Sequence, residues 1–308
     1  MWFIFAILAL LCWSGSDIFS KVGTEQKDKY SHWKMVIAVG TVMGIHAGIS
    51  LIFLDVSISF TDILTYLPVS ALYILSMVIG YAGLRYIELS VSSPICNSSG
   101  AIAAILCFFI LKQEIDVLTV IGIVLVCSGV IALGVVEAKE DDAARELRQH
   151  NANRKYSKSA LALILPVLYC IIDAAGTFGD AVVLDEGFKY ALDENVANTA
   201  YELTFLFMAV VAFIYVVVIK RQKLSFASGK FKGAAAICET AGQFAYVYAL
   251  GSYAVGAAPI ISAYCVVSAV WGRIFLKEKL SFKHYVVISI VVIGIILMGV
   301  AEGISGDA

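Results

Sequence analysis

The chain has 308 residues, of which 60% are hydrophobic and 15% charged, and its formal net charge is −2 at pH 7. Soluble domains have about 45–50% apolar and about 25% charged residues, so this composition excludes an ordinary soluble enzyme or binding domain. The charged residues gather in short clusters between apolar stretches of about 20 residues, the length at which a helix crosses a bilayer.

The apolar stretches predict ten membrane-spanning helices, called spans 1 to 10 in chain order. They cover 2–21, 35–54, 63–84, 91–111, 117–136, 160–183, 197–219, 233–253, 257–276 and 285–303. Strands of a β-barrel would be about half as long and would alternate in polarity, so the pattern favours an all-α polytopic membrane protein.

The first stretch reads as a spanning helix and not as a secretory signal peptide. No basic residue precedes it, and no small-residue cleavage site follows its apolar core. A charged segment, 137–159, is the one long linker and separates five spans from five others. We therefore predict one membrane domain made of a first five-helix half at 1–136 and a second at 160–308.

The sequence offers no pattern for metal, cofactor or covalent chemistry. All seven cysteines lie in apolar stretches without a CxxC pair, and the four histidines have no ligand spacing. A phosphate-binding loop and a Ser-His-Asp arrangement are also missing from the sequence. We expect no cofactor, no metal, no catalytic residue and no nucleic-acid partner.

Lysine and arginine are distributed unevenly between the two sets of loops. With ten spans, 20 of the 22 basic residues fall in the loops on one side, and the other side, which includes both termini, has only Lys112 and Lys189. Basic loops stay in the cytoplasm. The count therefore predicts a cytoplasmic linker and both termini outside, in a plasma membrane such as the bacterial inner membrane.

The two halves of the chain resemble each other. An offset of 165 residues pairs Tyr81 with Tyr246 and Pro94 with Pro259, and an offset of 156 pairs Asp17 with Asp173. Five spans per half make the second half enter the membrane in the opposite sense. Such inverted repeats are typical of alternating-access transporters, which bind substrate between the repeats near the midplane.

These features resemble the ten-helix EamA-type branch of the drug/metabolite transporter superfamily. The resemblance is carried by the five-plus-five arrangement, "WSGS" late in span 1, a proline opening spans 4 and 9, and the "LKQE" and "LKEK" turns that follow them. It implies a central cavity lined by spans 1, 3, 4, 6, 8 and 9, with spans 5 and 10 at the periphery. It also implies cytoplasmic termini, in conflict with the charge count, which we follow.

Charged groups inside spans cost about 2.5–3.5 kcal/mol or more on insertion scales, so they are candidates for function. Four acids and one imidazole lie within predicted spans: Asp17, Asp173, Glu202, Glu239 and His46. No lysine or arginine lies deep enough in a predicted span to neutralise the acids, which predicts a cavity that attracts cations or protons. We place Asp17 and Asp173 at the substrate and assign proton coupling to Glu239 and Asp173.

Each of these groups also has a structural explanation. Asp17 can extend toward Lys21, Glu239 can bond Gln243 one turn later, and Asp173 can be a buried structural acid. Glu202 can bond Asn198, and the imidazole can be a packed polar side chain. Asp180, near the end of span 6, reads as interfacial.

Aromatic and amide side chains accompany the acids. Four rings and one amide are candidates for the substrate site: Trp13, Tyr169, Tyr246, Tyr264 and Asn97. Trp13 and Tyr169 each lie one turn before an acid, on the same helix face. Aromatic rings attract an ammonium group by about 0.5–2 kcal/mol each, although such rings also occur as membrane-interface anchors.

The sequence thus predicts a secondary active transporter for a small organic cation or zwitterion, such as an amine, an amino acid or a quaternary ammonium compound, working by alternating access with proton coupling. Two alternatives stay open: a proton-independent facilitator of a neutral metabolite, and a lipid-flipping protein. The expected partners are the substrate, protons and the bilayer, and we expect a monomer or a weak homodimer.

Overall fold

A computed structural model describes residues 1–25, 28–83, 86, 89–139, 160–224, 226–275 and 280–306. This part of the chain consists of helices joined by short connections. The helices are α1 (Trp2–Gly23), α2 (Ser31–Phe53), α3 (Phe60–Gly83), α4 (Leu89–Asn97), α5 (Ser99–Leu106), α6 (Val117–Ala138), α7 (Ala160–Leu184), α8 (Glu194–Phe213), α9 (Phe226–Ser262), α10 (Tyr264–Phe275) and α11 (Phe282–Gly306). Two π-helical turns, Cys107–Leu111 and Ile214–Ile219, extend α5 and α8.

Nine segments of the described chain are long and apolar enough to cross a membrane. One of them, Gly229–Phe275, has 47 residues, which is about 70 Å of helix and more than twice the apolar thickness of a bilayer. Its backbone leaves the helical conformation at Tyr253, where φ is −162° and ψ is 82°. This one segment therefore holds both predicted spans 8 and 9.

Contacts with α1 determine the course of this long segment. Near its start, Lys232 donates a hydrogen bond to the carbonyl of Gly23, at the end of α1. At the bend, the ring of Tyr253 lies 5.2 Å from that of Trp2, at the start of α1. Farther on, Ser268 again lies beside the second half of α1. The segment thus crosses the bundle and returns.

The helix ends gather at two faces of the bundle. One of them, the basic face, has the ends of α1, α3, α6, α8 and α10 and, apart from Lys112 and Lys189, all the lysines and arginines that the structure describes. At the opposite face, the amino group of Met1 pairs with Glu302 at 2.7 Å, and the Tyr253 hydroxyl donates to the carbonyl of Glu114 at 2.9 Å. These contacts bring the two ends of the chain together with the bend in α9.

Most spans pair with a helix from the other half of the chain. The most extensive contacts join α1 to α9, α3 to α7, α2 to α8 and α6 to α11. In terms of spans, these pairs are 1 with 8, 3 with 6, 2 with 7 and 5 with 10. The repeat relates span 1 to span 6 and span 8 to span 3, so exchange of the two halves gives the same set of pairs. His46 and Glu202, separated by the repeat offset of 156 residues, form a direct contact between α2 and α8.

Small residues allow the closest of these approaches. At Gly294 in α11, a Cβ atom would lie 2.9 Å from the carbonyl oxygen of Gly122 in α6, so neither position has room for a larger side chain. The predicted linker 137–159 lies outside the described residues apart from its first three positions, 137–139. The division into two inverted repeats stays a prediction that the helix pairing supports.

Candidate functional site

A cavity of about 110 Å³ lies inside the bundle. Its walls come from α1, α3, α4, α5, α7, α9 and α10, with Tyr201 of α8 added. These elements are the predicted spans 1, 3, 4, 6, 8 and 9 and one residue of span 7. Spans 5 and 10, which were expected at the periphery, contribute no lining residue among those described, and neither does span 2. The volume holds several water molecules or a small organic ligand.

The structure brings all eight candidate site residues to this one cavity. Its lining includes Trp13, Asp17, Asn97, Tyr169, Asp173, Glu239, Tyr246 and Tyr264. They come from both halves of the chain, so neither half alone forms the site. Their roles in substrate binding and proton coupling stay predictions.

Asp17 points into the cavity and accepts two hydrogen bonds there. Ser93 Oγ in α4 donates to Asp17 Oδ2 at 2.9 Å, and Ser268 Oγ in α10 donates to the same oxygen at 3.0 Å. Asn97 Nδ2 in turn donates to Ser93 Oγ at 3.1 Å. Side chains of α4 and α10 therefore fix this carboxylate of α1. It faces the cavity and does not extend only toward the helix end near Lys21.

Asp173 lies on the other wall of the cavity, in α7. Ser99 Oγ in α5 donates to Asp173 Oδ2 at 2.7 Å, and Ser76 Oγ in α3 lies 3.4 Å from Asp173 Oδ1. Like Asp17, this carboxylate is half-buried and accepts hydrogen bonds from serine hydroxyl groups. The two repeat-related acids thus have the same kind of environment.

Glu239 of α9 is the third acid in the cavity. Ser16 Oγ in α1 donates to Glu239 Oε2 at 2.7 Å. The predicted alternative partner, Gln243, is buried, and its Nε2 has no hydrogen-bond partner among the described residues. The local pairing of Glu239 with Gln243 is therefore not observed, and the acid bonds to the first half of the chain.

Aromatic rings form a cluster beside these acids. The ring of Trp13 lies 4.9 Å from that of Tyr246 and 5.9 Å from that of Tyr264, and its Nε1 donates to the carbonyl of Glu239 at 3.3 Å. A Cβ atom at Gly242 would overlap the indole ring, so only glycine lets Trp13 lie this close to α9. The rings form an apolar wall next to the carboxylates.

The electrostatics of the cavity are one-sided. Among the described residues three carboxyl groups line it, and the lining contains no lysine, arginine or histidine from that part of the chain. In the described part of the chain no three histidine, cysteine or acidic residues are arranged to hold a metal ion. The lining therefore suits a ligand with positive charge and separate hydrogen-bonding positions, and not a divalent ion held by all three acids.

A buried hydrogen-bond network lies on the side of the cavity toward the opposite face. Tyr73 and Tyr246 lie 2.5 Å apart at their hydroxyl oxygens, and Tyr246 donates to Thr177 Oγ1 at 3.0 Å. Beyond them, Tyr66 donates to Asp180 Oδ1 at 2.7 Å. We call these five residues the tyrosine–aspartate network. The prediction that Asp180 is interfacial is wrong. Asp180 belongs to α7 and is fully buried where α7 packs against α3.

His46 and Glu202 form a separate pair outside the cavity. His46 Nδ1 lies 2.8 Å from Glu202 Oε1, and Asn198 Nδ2 donates to the same oxygen at 3.1 Å. The predicted Asn198 bond to Glu202 is thus present, and the imidazole is a second partner. Neither member of the pair lines the cavity.

Sequence reasoning missed the hydroxyl groups that hold the acids. Serine is common where helices pack closely, so Ser16, Ser76, Ser93 and Ser268 gave no separate signal. One signal was available for the His46–Glu202 pair, because its 156-residue separation equals the repeat offset. Two residues at equivalent positions of the repeats can contact each other only if they lie near the pseudo-twofold axis that relates the two halves, and His46 and Glu202 do so.

Comparison with known proteins agrees with this architecture. A family model described as the EamA-like transporter family matches residues 1–135 and 189–300. No curated protein matches the chain in sequence. A solved structure, described only as a crystal structure of protein, is 11% identical, covers 96% of this chain and 95% of its own, and superposes with a TM-score of 0.64. The family match spans most of the sequence, and the chain is therefore a multi-pass membrane protein that belongs to the EamA-like transporter family.

Proposed function

We propose that the protein is a proton-coupled secondary transporter for a small organic cation, or for a zwitterion bound through its ammonium group. The observation that carries the proposal is the cavity lining, in which the described residues supply three carboxyl groups, hydroxyl donors and aromatic rings and no basic side chain. Members of this family are transporters, and we propose no enzymatic activity for this chain.

The geometry favours an ammonium-type ligand for two reasons. A carboxylate attracts an ammonium group strongly in a water-poor cavity with low-dielectric walls. The face of an indole or phenol ring adds a cation–π contact when the ammonium lies within about 6 Å of the ring centre. Asp17 and Asp173 supply the first interaction, and Trp13, Tyr169 and Tyr264 line the cavity beside them.

Glu239 is our candidate for the proton site. Its one described hydrogen bond comes from Ser16, so the carboxyl group can exist in the charged or the protonated form without losing a cationic partner. A carboxyl group in a low-dielectric site can exchange a proton near neutral pH. Glu239 shares the cavity with Asp17 and Asp173, so its charge state affects how strongly a cation is held.

Alternating access requires that the cavity open to one side at a time. The lining residues of α1 and α3 lie in the halves of these helices nearer the basic face, and the tyrosine–aspartate network lies on the side of the cavity toward the opposite face. We propose that this conformation is the cytoplasm-facing one and that the network opens in the other state.

A ligand-stability screen on purified protein tests the substrate class. Amines, amino acids, quaternary ammonium compounds and nucleosides are added, and thermal unfolding is recorded for each. We expect amines to raise the unfolding temperature, because a ligand that binds only the native state stabilises it. Compounds that stabilise are then tested for transport in proteoliposomes under an imposed pH gradient.

The alternatives give different results in the same assays. A facilitator of a neutral metabolite would transport at an equal rate with and without the pH gradient. A lipid-flipping protein would move labelled lipid between leaflets and would show no saturable uptake of a water-soluble compound. Either result in place of proton-linked amine transport would contradict the proposal.

Phosphorylated sugars and nucleotides are expected neither to bind nor to be transported. Lysine and arginine are the side chains that bind phosphates most strongly, and the described cavity lining has carboxyl groups, which repel a phosphate, instead. Competition by a nucleotide sugar against the best amine found in the screen measures this directly. Saturable uptake of a nucleotide sugar into proteoliposomes would contradict the electrostatic argument.

Both chain termini are expected to face away from the cytoplasm. The reason is the positive-inside rule, applied to 20 of the 22 lysines and arginines on the side of the linker. A reporter that is active only outside the cytoplasm, fused after Ala308, should be active in cells. Activity of a cytoplasm-only reporter at the same position would show the reverse orientation.

A further inference from the structure

We infer that the cavity is built for a dicationic ligand, a linear diamine, with one ammonium group at Asp17 and the other at Asp173. This inference rests on the transport function proposed above and adds the number of charges on the substrate and their spacing. In this arrangement Glu239 is the third acid, left for the proton.

The first argument is the balance of charge. Three carboxyl groups line the cavity, and no basic side chain among the described lining residues compensates them. A monovalent ligand leaves two of the three without a counter-charge in a low-dielectric site, where uncompensated charge is costly. A divalent ligand leaves one, and that one is neutralised by protonation.

The second argument is the spacing of the two aspartates. Asp17 is bonded to Ser93 and Asp173 to Ser99, and both serines belong to the nearly continuous helix formed by α4 and α5. Six residues advance about 9 Å along a helix. The two carboxyl groups are thus attached to one helix at separate levels of the cavity, consistent with the lack of a shared metal arrangement among the described residues.

This spacing selects the length of the ligand. The nitrogens of an extended chain of four or five carbons are about 6 to 8 Å apart, given bond lengths of about 1.5 Å. Ammonium–carboxylate hydrogen bonds are about 2.8 Å long. With both bonds, an extended diamine of this length spans about 12 to 14 Å between carboxyl oxygens, more than the helix rise between the two serines, so it meets both aspartates in an inclined or bent conformation.

The third argument is an unpaired polar group in the wall, independent of the acids. Gln243 is 4% exposed and lines the cavity, and its Nε2 has no hydrogen-bond partner in the described part of the chain. A buried amide is normally paired. The amide oxygen also has no hydrogen-bond partner among the described residues, so it can accept a hydrogen bond from an ammonium group in the cavity. The ring of Trp13 supplies an apolar surface for the methylene groups between the charges.

Binding of matched amines to the purified protein tests this inference. Dissociation constants are measured by isothermal titration for 1,4-diaminobutane, 1,5-diaminopentane and n-pentylamine. We expect 1,5-diaminopentane to bind at least about 10-fold more tightly than n-pentylamine, because the second ammonium adds a charge-assisted hydrogen bond. Asp17→Asn and Asp173→Asn should each remove this difference.

Asp55→Asn is the matched control. It removes a carboxylate at an exposed position outside the cavity, where φ is 51°, a conformation that asparagine tolerates. We expect this variant to keep the preference for the diamine. The comparison of diamines with n-pentylamine on the unmodified protein decides the question even if an aspartate variant does not fold.

The outcomes separate this inference from the proposed function. Equal affinities for n-pentylamine and both diamines would overturn the dication site and leave a transporter of monovalent cations. Stabilisation by a neutral metabolite, with no binding of any amine, would overturn both. A diamine preference that survives both aspartate variants would place the charges elsewhere and overturn the assignment.

Discussion

Replacement of Glu239 by glutamine is expected to abolish transport driven by a pH gradient and to leave the protein folded. Glutamine has nearly the same size, and its amide oxygen can still accept the hydrogen bond from Ser16, which is 2.7 Å long in the native protein. It cannot bind and release a proton. Substrate uptake into proteoliposomes with an acidic interior or exterior should therefore fall to the level of protein-free liposomes.

Three further measurements make this result specific to proton coupling. Exchange of substrate at equal pH on both sides should remain measurable in Glu239→Gln, and Glu239→Asp, which keeps a titratable group, should retain part of the gradient-driven uptake. Asp173→Asn should instead weaken substrate binding itself. Normal gradient-driven transport by Glu239→Gln would exclude Glu239 as the coupling site.

Among the substitutions proposed for this protein, replacement of Gly100 by valine is expected to lower the free energy of unfolding most. Gly100 lies in α5 where that helix crosses α9. A Cβ atom there would overlap the Ser262 hydroxyl and lie 2.7 Å from the carbonyl oxygen of Ala258. The serine can rotate, but the backbone oxygen cannot move without separating the helices. Overpacking of this kind costs about 1–3 kcal/mol and sometimes more.

Thermal unfolding in detergent, with the fraction of monodisperse protein, measures this effect. Gly48→Val in α2 is the matched control, because no atom lies within 4 Å of a Cβ at that position. Both variants place the same β-branched residue in a helix, so the difference between them reports the contact of α5 with α9. Equal unfolding temperatures for the two variants would show that the crossing is not tight.

The membrane fold could be predicted because the bilayer restricts the sequence so strongly. Helix length follows from its thickness, and the cost of a buried charge marks Asp17, Asp173 and Glu239 as exceptional. These arguments identified spans and acids that the structure brings to one cavity. They needed no knowledge of which helix packs against which.

The partners of the acids required that knowledge, and there the local reasoning was insufficient. Proximity in sequence suggested Gln243 for Glu239, whereas the bond comes from Ser16, 223 positions away. Position near a helix end suggested an interfacial Asp180, but α3 covers it with Tyr66 and Tyr73. Burial inside a bundle depends on neighbouring helices, which a single segment does not reveal.

The pairing of helices across the two halves has a consequence for biosynthesis. Asp17 is made near the start of the chain, and Ser268, one of its two hydroxyl partners, follows 251 residues later. At about 5–20 residues per second, translation of this interval takes about 13 to 50 s. During that time α1 resides in the membrane with its acid incompletely satisfied. The cavity is therefore one of the last parts of the molecule to assemble, after the helices that surround it are inserted.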